Sequence, residues 1–318
     1  MRMLAGLLLC CALAIPVWAA ERTTSVSMFG SWVNEDTYGE ESEFGDLQPL
    51  TAWSIIDCRI NSRTHLVGVF ATDDQDKVVR LRDFRFHWKP KQKMHWLAPW
   101  LLEFTGGYFV PPFAREWSVL NPFQVGTVKY SGISDSLVAR DNGVQLKLVP
   151  LRQFSVTVAM FAADRKGGYT GEWQDNTHRH FYFQTRRPVV YGFVAGASYR
   201  FTTRDRTPWA LELTRESEQS LYAFELLRED DGDDRDYASQ WYVLAERDIR
   251  HQTPKQGGNI RLVARFEELR YGQRYVLGCA LFLVDGLTVK ANYALERFPG
   301  ERNQKLFLQG IAHFDFSS

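Results

Sequence analysis

The chain has 318 residues, with 38 basic and 38 acidic side chains and a sequence pI near 7.1. That balance leaves no electrostatic footprint for nucleic acid or an acidic polymer, so no nucleic-acid partner is expected. Aromatics reach 14%, and Arg outnumbers Lys 28 to 10; where these residues fall along the chain carries most of the argument below.

Residues 1–19 read as a secretory signal. Arg2 is the charged start, Leu4 to Ile15 the apolar core, and Val17-Trp18-Ala19 a small-residue cleavage site, which leaves 20–318 as the mature chain. The apolar run is too short for a membrane-spanning helix. Cys10 and Cys11 go with the signal. Cys58 and Cys279 remain, too few for a disulfide framework, and read as small outward-facing residues. No CxxC, CxxCH or HExxH occurs, so haem, zinc and dithiol chemistry lack their signatures, and neither cofactor nor metal is expected.

After the signal the chain alternates with period two. Strands are expected near 23–34, 50–61, 64–73, 78–89, 99–109, 141–150, 153–163, 189–203, 236–249, 259–270, 274–285, 287–297 and 304–316. In FSVTVAMFAA, Phe154, Val156, Val158 and Met160 form one face and Ser155, Thr157 and Ala159 the other. In LTVKANYALE, Leu287, Val289, Ala291, Tyr293 and Leu295 oppose Thr288, Lys290, Asn292, Ala294 and Glu296. The segment 208–229 reads as one long strand or as a hairpin turning at Ser217–Ser220. One strand gives fourteen in all. A hairpin needs a further strand, at HFYFQTRR, and gives sixteen.

Connections alternate between long polar segments, such as 164–188, and short turns, such as NSR and Asp285-Gly286. The fold expected is therefore all-β: a transmembrane, antiparallel, up-and-down β-barrel of about fourteen strands, with sixteen as the alternative. Both termini should lie on one side of the membrane. Aromatics collect at strand ends as interfacial girdles would, with Trp88, Trp96 and Trp100 at one terminus-side turn and Trp209 at another. The last strand, LFLQGIAHFDFSS, places Leu306, Leu308, Phe314 and Phe316 on one face, which resembles the assembly signal of outer-membrane barrels.

Charge falls on the opposite faces. Arg85, Lys147, Arg200, Arg261, Arg265 and Lys290 all take the polar side of their strands. A charge at the lipid midplane costs roughly 2–4 kcal/mol, so these side chains are assigned to the interior. Arg suits anions through its planar fork of donors. The alternative is that these cations pair with Glu103, Glu246, Glu267, Glu296 and Asp315 as wall ladders.

Residues 110–140 interrupt the strand pattern. Counted up and down, they form the third loop on the side opposite the termini. A double proline ends the ladder, and four aromatics with Arg115 and Glu116 favour a loop that folds inward and narrows the channel. Lys129 and Arg140 complete the cations assigned to this constriction. The stretch GYFVPPFAREWSVLNPFQV and the later Arg140-Asp141-Asn142-Gly143-Val144 resemble the phosphate-selective porin O/P family, whose pattern runs G-x-F-x-x-P-F-x-R-E and then R-D-x-G-V. The resemblance covers about 45 residues and extends loosely to VVRLRDFRFHW. It implies a trans-outer-membrane diffusion channel, usually of sixteen strands. The closely spaced lysines that mark strong phosphate selection are missing, so the resemblance does not carry phosphate specificity over.

The expected function is thus an outer-membrane porin in a bacterial cell. It would pass small polar or anionic solutes, phosphate among the anions to consider, with outer-membrane lipid as its surroundings and a homotrimer as one assembly open to it. Two other classes compete. One is a structural barrel that sheaths a partner such as an electron carrier or a polymer. The other is an outer-membrane enzyme, but His178, His180 and Ser220 are not joined by any motif, and no enzymatic activity is expected.

Overall fold

In a computed structural model the described residues are 23–38, 47–72, 79–90, 100–113, 141–151, 153–162, 179–202, 208–230, 237–250, 259–284 and 287–317. They form sixteen strands: β1 (Thr23–Tyr38), β2 (Leu47–Asn61), β3 (Thr64–Thr72), β4 (Val79–Trp88), β5 (Leu101–Phe109), β6 (Asp141–Leu151), β7 (Phe154–Ala162) and β8 (Arg179–Pro188), then β9 (Phe193–Thr202), β10 (Trp209–Glu216), β11 (Ser220–Asp230), β12 (Tyr237–Arg250), β13 (Asn259–Leu269), β14 (Gly272–Val284), β15 (Leu287–Phe298) and β16 (Glu301–Ser317). Every strand pairs antiparallel with its sequence neighbours, and β1 pairs with β16 from Ser25↔Ser317 to Tyr38↔Gln304. Closure leaves no strand edge unpaired, which is the condition a sheet must meet to sit in hydrocarbon.

The count is sixteen, so the favoured fourteen is corrected and the alternative holds. The segment 208–229 is a hairpin: Ser217 Oγ bonds Ser220 Oγ at 2.8 Å and accepts from the Ser220 amide at 3.1 Å, which turns the chain between β10 and β11. The extra strand is β8, built from the HFYFQTRR stretch that had been assigned to the polar loop 164–188. Its alternation is hidden because both faces are large. Phe181 and Phe183 point out, while Tyr182 and Gln184 are buried inside. This correction moves Trp209. With two more strands it stands at the end opposite the termini, not at a terminus-side turn. Residues 285–286 join β14 to β15 with Val284 paired to Leu287, as a two-residue connection requires.

The outer surface is apolar through the middle of the strands. Leu211, Leu213, Val243, Leu262, Leu277, Val144, Leu146 and Val158 are all exposed, on the faces that also carry the exposed aromatics. Near the loop end, Phe224, Trp241, Phe266 and Tyr275 form a run of adjacent rings across β11 to β14, with centroids 6.3, 5.0 and 4.8 Å apart. Near the terminus end Phe86 meets Phe104 edge-on at 6.4 Å, beside Trp88 and Trp100. Two aromatic bands around an apolar belt match the two interfaces of a bilayer. Cys58 and Cys279 are free and half-buried, and Cys279 pairs with the outward Leu262.

Candidate pore wall

Inward residues alternate strictly with this belt. The interior side holds Asp83, Thr105, Thr157, Gln184, Ser198, Glu212, Glu225, Glu246, Arg265, Glu267, Lys290, Asn292 and Glu296, every one of them buried. Of the cations read from sequence, Arg85, Lys147, Arg200, Arg261, Arg265 and Lys290 all stand on this side. Arg115, Glu116, Lys129 and Arg140 lie outside the described residues, as does the side chain of Asp315.

The inward charges group into three walls. On β2 to β6, Arg85 grips Asp83 through Nε at 2.7 Å and Nη2 at 2.8 Å, with its guanidinium 5.5 Å from the centre of the Phe109 ring. Nearer the terminus end, the rings of His65 and His87 stack at 4.6 Å. Each faces a carboxylate: Asp57 lies 3.5 Å from His65, and Glu103 lies 3.0 Å from His87. Lys147 pairs across the sheet with Glu103 on one side and Thr157 on the other. Arg200, on β9, stands opposite Tyr182 on β8.

A second wall forms around β8 to β12. Arg186 holds Glu212 through Nε at 2.5 Å and Nη2 at 3.2 Å, although β9 lies between them. The intervening residue is Gly196, directly paired with both. A Cβ there would come within 2.6 Å of Glu212 Cγ and 2.7 Å of Cδ. Glycine is what lets the carboxylate lie across a strand. Gly143 does the same for Phe161, which crosses β6 to meet Phe109 edge-on at 4.9 Å. Next to Glu212, Glu225 accepts a hydrogen bond from the Tyr242 hydroxyl at 3.2 Å.

The third wall, β12 to β16, is the most heavily charged. Arg261 binds Asp248 at 2.6 and 3.1 Å and lies 3.6 Å from Glu246. Further along, Arg265 pairs with Glu267 at 2.5 Å, Arg274 with Glu267 at 3.3 Å and with Glu296 at 2.8 Å, and Lys305 with Glu296 at 3.4 Å. The ladder alternative from sequence holds for Arg261 and Arg265, which meet Glu246 and Glu267, while Arg85 meets Asp83, a carboxylate the sequence reading did not name. Three ladder members escaped the sequence reading. Arg186 was missed because β8 was assigned to a loop. Arg274 sits on a strand whose two faces, Val276, Gly278, Ala280 and Tyr275, Leu277, Cys279, are almost equally apolar. Lys305 precedes the clear alternation of β16, but its period-two spacing from Phe307 and Gln309 was available as a signal.

The connection 110–140 leaves β5 at its loop end. Its first residues are described: Val110 and Phe113 are buried, Phe113 at 1% exposure, and the Phe113 ring stands 6.1 Å from that of inward Tyr182. Phe113 packs in one cluster with Phe109, Phe161, Tyr182, Ala210, Ala223, Leu227, Tyr242, Leu244 and Val263, all on inward faces.

No protein-family model matches the sequence, and no curated protein is similar to it in sequence. The fold has close counterparts among known structures. OmpF of Salmonella typhi, in complex with daunomycin, superposes with a TM-score of 0.64 at 8% identity, over 94% of this chain and 100% of that one. OprB of Pseudomonas putida gives 0.61 at 10% identity, over 92% and 94%. An anion-selective porin from Comamonas acidovorans gives 0.58 at 10% identity, over 92% and 100%. At such identities the likeness establishes the architecture: a porin-type transmembrane β-barrel, of the kind found in Gram-negative outer membranes.

Proposed function

We propose that the protein is an outer-membrane porin, a passive diffusion channel for small polar and anionic solutes with no chemical step. The observation that carries this reading is the inversion of the faces. An apolar belt with aromatic bands lies outside, and paired charges with buried amides and hydroxyls lie inside, around a closed barrel. A soluble β-barrel would bury the apolar face instead. Specific phosphate transport is not part of the proposal. The described inward cations mostly hold carboxylates, and a phosphate path needs cations that keep spare donors.

The third loop is proposed to narrow the channel, with Arg115 and Glu116 at the constriction. Support comes from Phe113, whose burial among inward side chains starts the loop on an interior course. Purified protein that shows a heat-dependent gel shift should insert into planar bilayers and conduct in potassium chloride. Removing residues 114–130 should raise the single-channel conductance. A folded barrel that never conducts would overturn the channel reading, and unchanged conductance in the shortened protein would overturn the constriction.

A further inference from the structure

Inward arginines hold carboxylates: Arg85 meets Asp83, Arg186 meets Glu212, Arg261 meets Asp248 and Arg274 meets Glu296. Two arginines on the outer face are placed differently. Arg297 on β15 and Arg302 on β16 are directly paired across the ladder, and both are exposed. Alternation from the inward Glu296 and Lys305 puts both on the lipid side. Directly opposed residues have Cβ atoms about 5 Å apart, and like charges in such a pair repel. Among the described residues neither arginine has an ion pair, and Arg297 lies only over the Tyr275 ring, 5.6 Å from its centre. The carboxylate in the same cross-strand row, Glu268, is already engaged. Gln273 stands between it and Arg297 and donates to it through Nε2 at 2.9 Å. Glu301 neighbours Arg302 in sequence but is opposite Phe298, on the other phase of the strand.

The pair also sits at a defined depth. Tyr275, which ends the aromatic run across β11 to β14, belongs to the next outward row toward the bilayer, with Leu295 and Gln304. Leu277, Tyr293 and Leu306 form the row below that. Arg297 and Arg302 therefore stand just above an interfacial aromatic band, in the headgroup layer of the leaflet at the loop end. The two connections on this flank, 270–271 and 299–300, are two residues each, too short to fold over the outer face. We propose that Arg297 and Arg302 clamp the phosphate of a lipid headgroup in that leaflet. A phosphate between two opposed guanidinium groups removes their repulsion and engages both forks of donors. Tyr275 covers one face of the Arg297 guanidinium, which leaves its edge N–H groups for oxygens. A lipid delivers the phosphate at this depth, with its chains along Leu277, Tyr293 and Leu306. Anchoring in the bilayer raises the local concentration of its headgroup far above that of a free anion.

The test does not need conduction, so it is separate from the channel reading. Purified barrel in dodecyl maltoside is titrated with diphosphoryl lipid A, and bound lipid is counted by native mass spectrometry. The wild type should bind it. Arg297→Gln with Arg302→Gln should weaken binding roughly tenfold, one decade in Kd. Arg297→Lys with Arg302→Lys keeps both charges but removes the planar forks, and should bind with intermediate strength. Both double variants should keep the heat-dependent gel shift. Lipid A stripped of its phosphates should not bind, and inorganic phosphate at equal concentration should not displace the intact lipid. If the Gln variant binds lipid A as the wild type does, the clamp is not at this pair and the proposal falls. If the stripped lipid binds equally well, the wall reads chains and not phosphate, and the proposal falls. If inorganic phosphate displaces the lipid, the site takes a free anion and the lipid assignment falls. If the Gln variant loses self-association while its lipid binding is unchanged, this face is a contact between copies, and the lipid assignment falls again. A barrel that clamps lipid A but never conducts would keep the site and remove the channel.

Discussion

Gly196 offers a quantitative test of how the wall is built. It is not among the residues with positive φ, so an Ala there meets no backbone strain. Its Cβ would, however, lie 2.6 Å from Glu212 Cγ and 2.7 Å from Cδ, and the carboxylate must leave its place above β9. Gly196→Ala therefore breaks both hydrogen bonds to Arg186. Charge-assisted bonds contribute about 1.5–3 kcal/mol each, but water reaches Arg186, whose side chain is 31% exposed, so the net loss should be about 2–3 kcal/mol. In a Glu212→Ala background the obstruction is gone. The same substitution should then stabilise by roughly 0.5–1 kcal/mol, because Ala costs less chain entropy than Gly in a strand. Urea unfolding of the four proteins from lipid vesicles completes the cycle, and the sign of the Gly196→Ala effect should reverse between backgrounds. Equal costs in both would mean that Glu212 does not lie across Gly196, and the account of this wall would fail.

Further consequences follow from the alternation of faces. Leu277 is 63% exposed near the middle of β14, so Leu277→Arg should destabilise the barrel by roughly 2–4 kcal/mol in vesicles, whereas its inward neighbour Val276 should tolerate Thr with a smaller loss. With Cys58 and Cys279 replaced by Ser, cysteines at the half-buried inward positions Gln145 and Lys147 should react with a water-soluble maleimide in the folded barrel, and cysteines at Val158 and Leu211 should not. Phe113→Ala removes a ring from the cluster with Tyr182 and Phe161; conductance should rise and become noisier while the heat-dependent shift persists.

Most of the barrel was legible because its strands bury one face and not the other. Thr157, Lys290 and Arg265 are inside and Val158 outside, as period two requires, since a slip of one residue would reverse them all. Legibility failed where large side chains occupy both faces. In β8 the sequence FYFQ places rings on both sides, and in β14 small inward residues, Gly278 and Ala280, look no more polar than the lipid face. Charge ladders on the inner wall were readable as an alternative, with Glu246 and Glu267 among the carboxylates named, but their grouping into three walls was not. Arg186 and Glu212 meet across an intervening strand, over a glycine. The run of ion pairs on β13 to β16 depends on which residues stand side by side, and register is fixed by pairing over the whole sheet and not by any segment alone.

The strand count itself can be decided without a structure, at Tyr191. This residue is 84% exposed in the 3₁₀ turn, residues Val190–Gly192, that joins β8 to β9. With sixteen strands the turn lies at the end of the barrel that carries both termini. With fourteen, 164–188 would be one loop and Tyr191 would stand at the opposite end. Tyr271, 63% exposed between β13 and β14, lies at the end opposite the termini under both counts, because the four strands from β13 to the C-terminus are shared. Cysteines at the two positions, in a background lacking Cys58 and Cys279, can be tested with a maleimide coupled to a polymer too large to enter the channel. In intact cells Tyr271→Cys should be modified and Tyr191→Cys protected until the outer membrane is opened. Labelling of both in intact cells would refute sixteen strands, since an even change of two is the only way to bring Tyr191 to the other side while the barrel stays closed. Labelling of Tyr191→Cys alone would keep the topology and invert the barrel, which would place the 110–140 loop in the periplasm and end its role as the outer constriction.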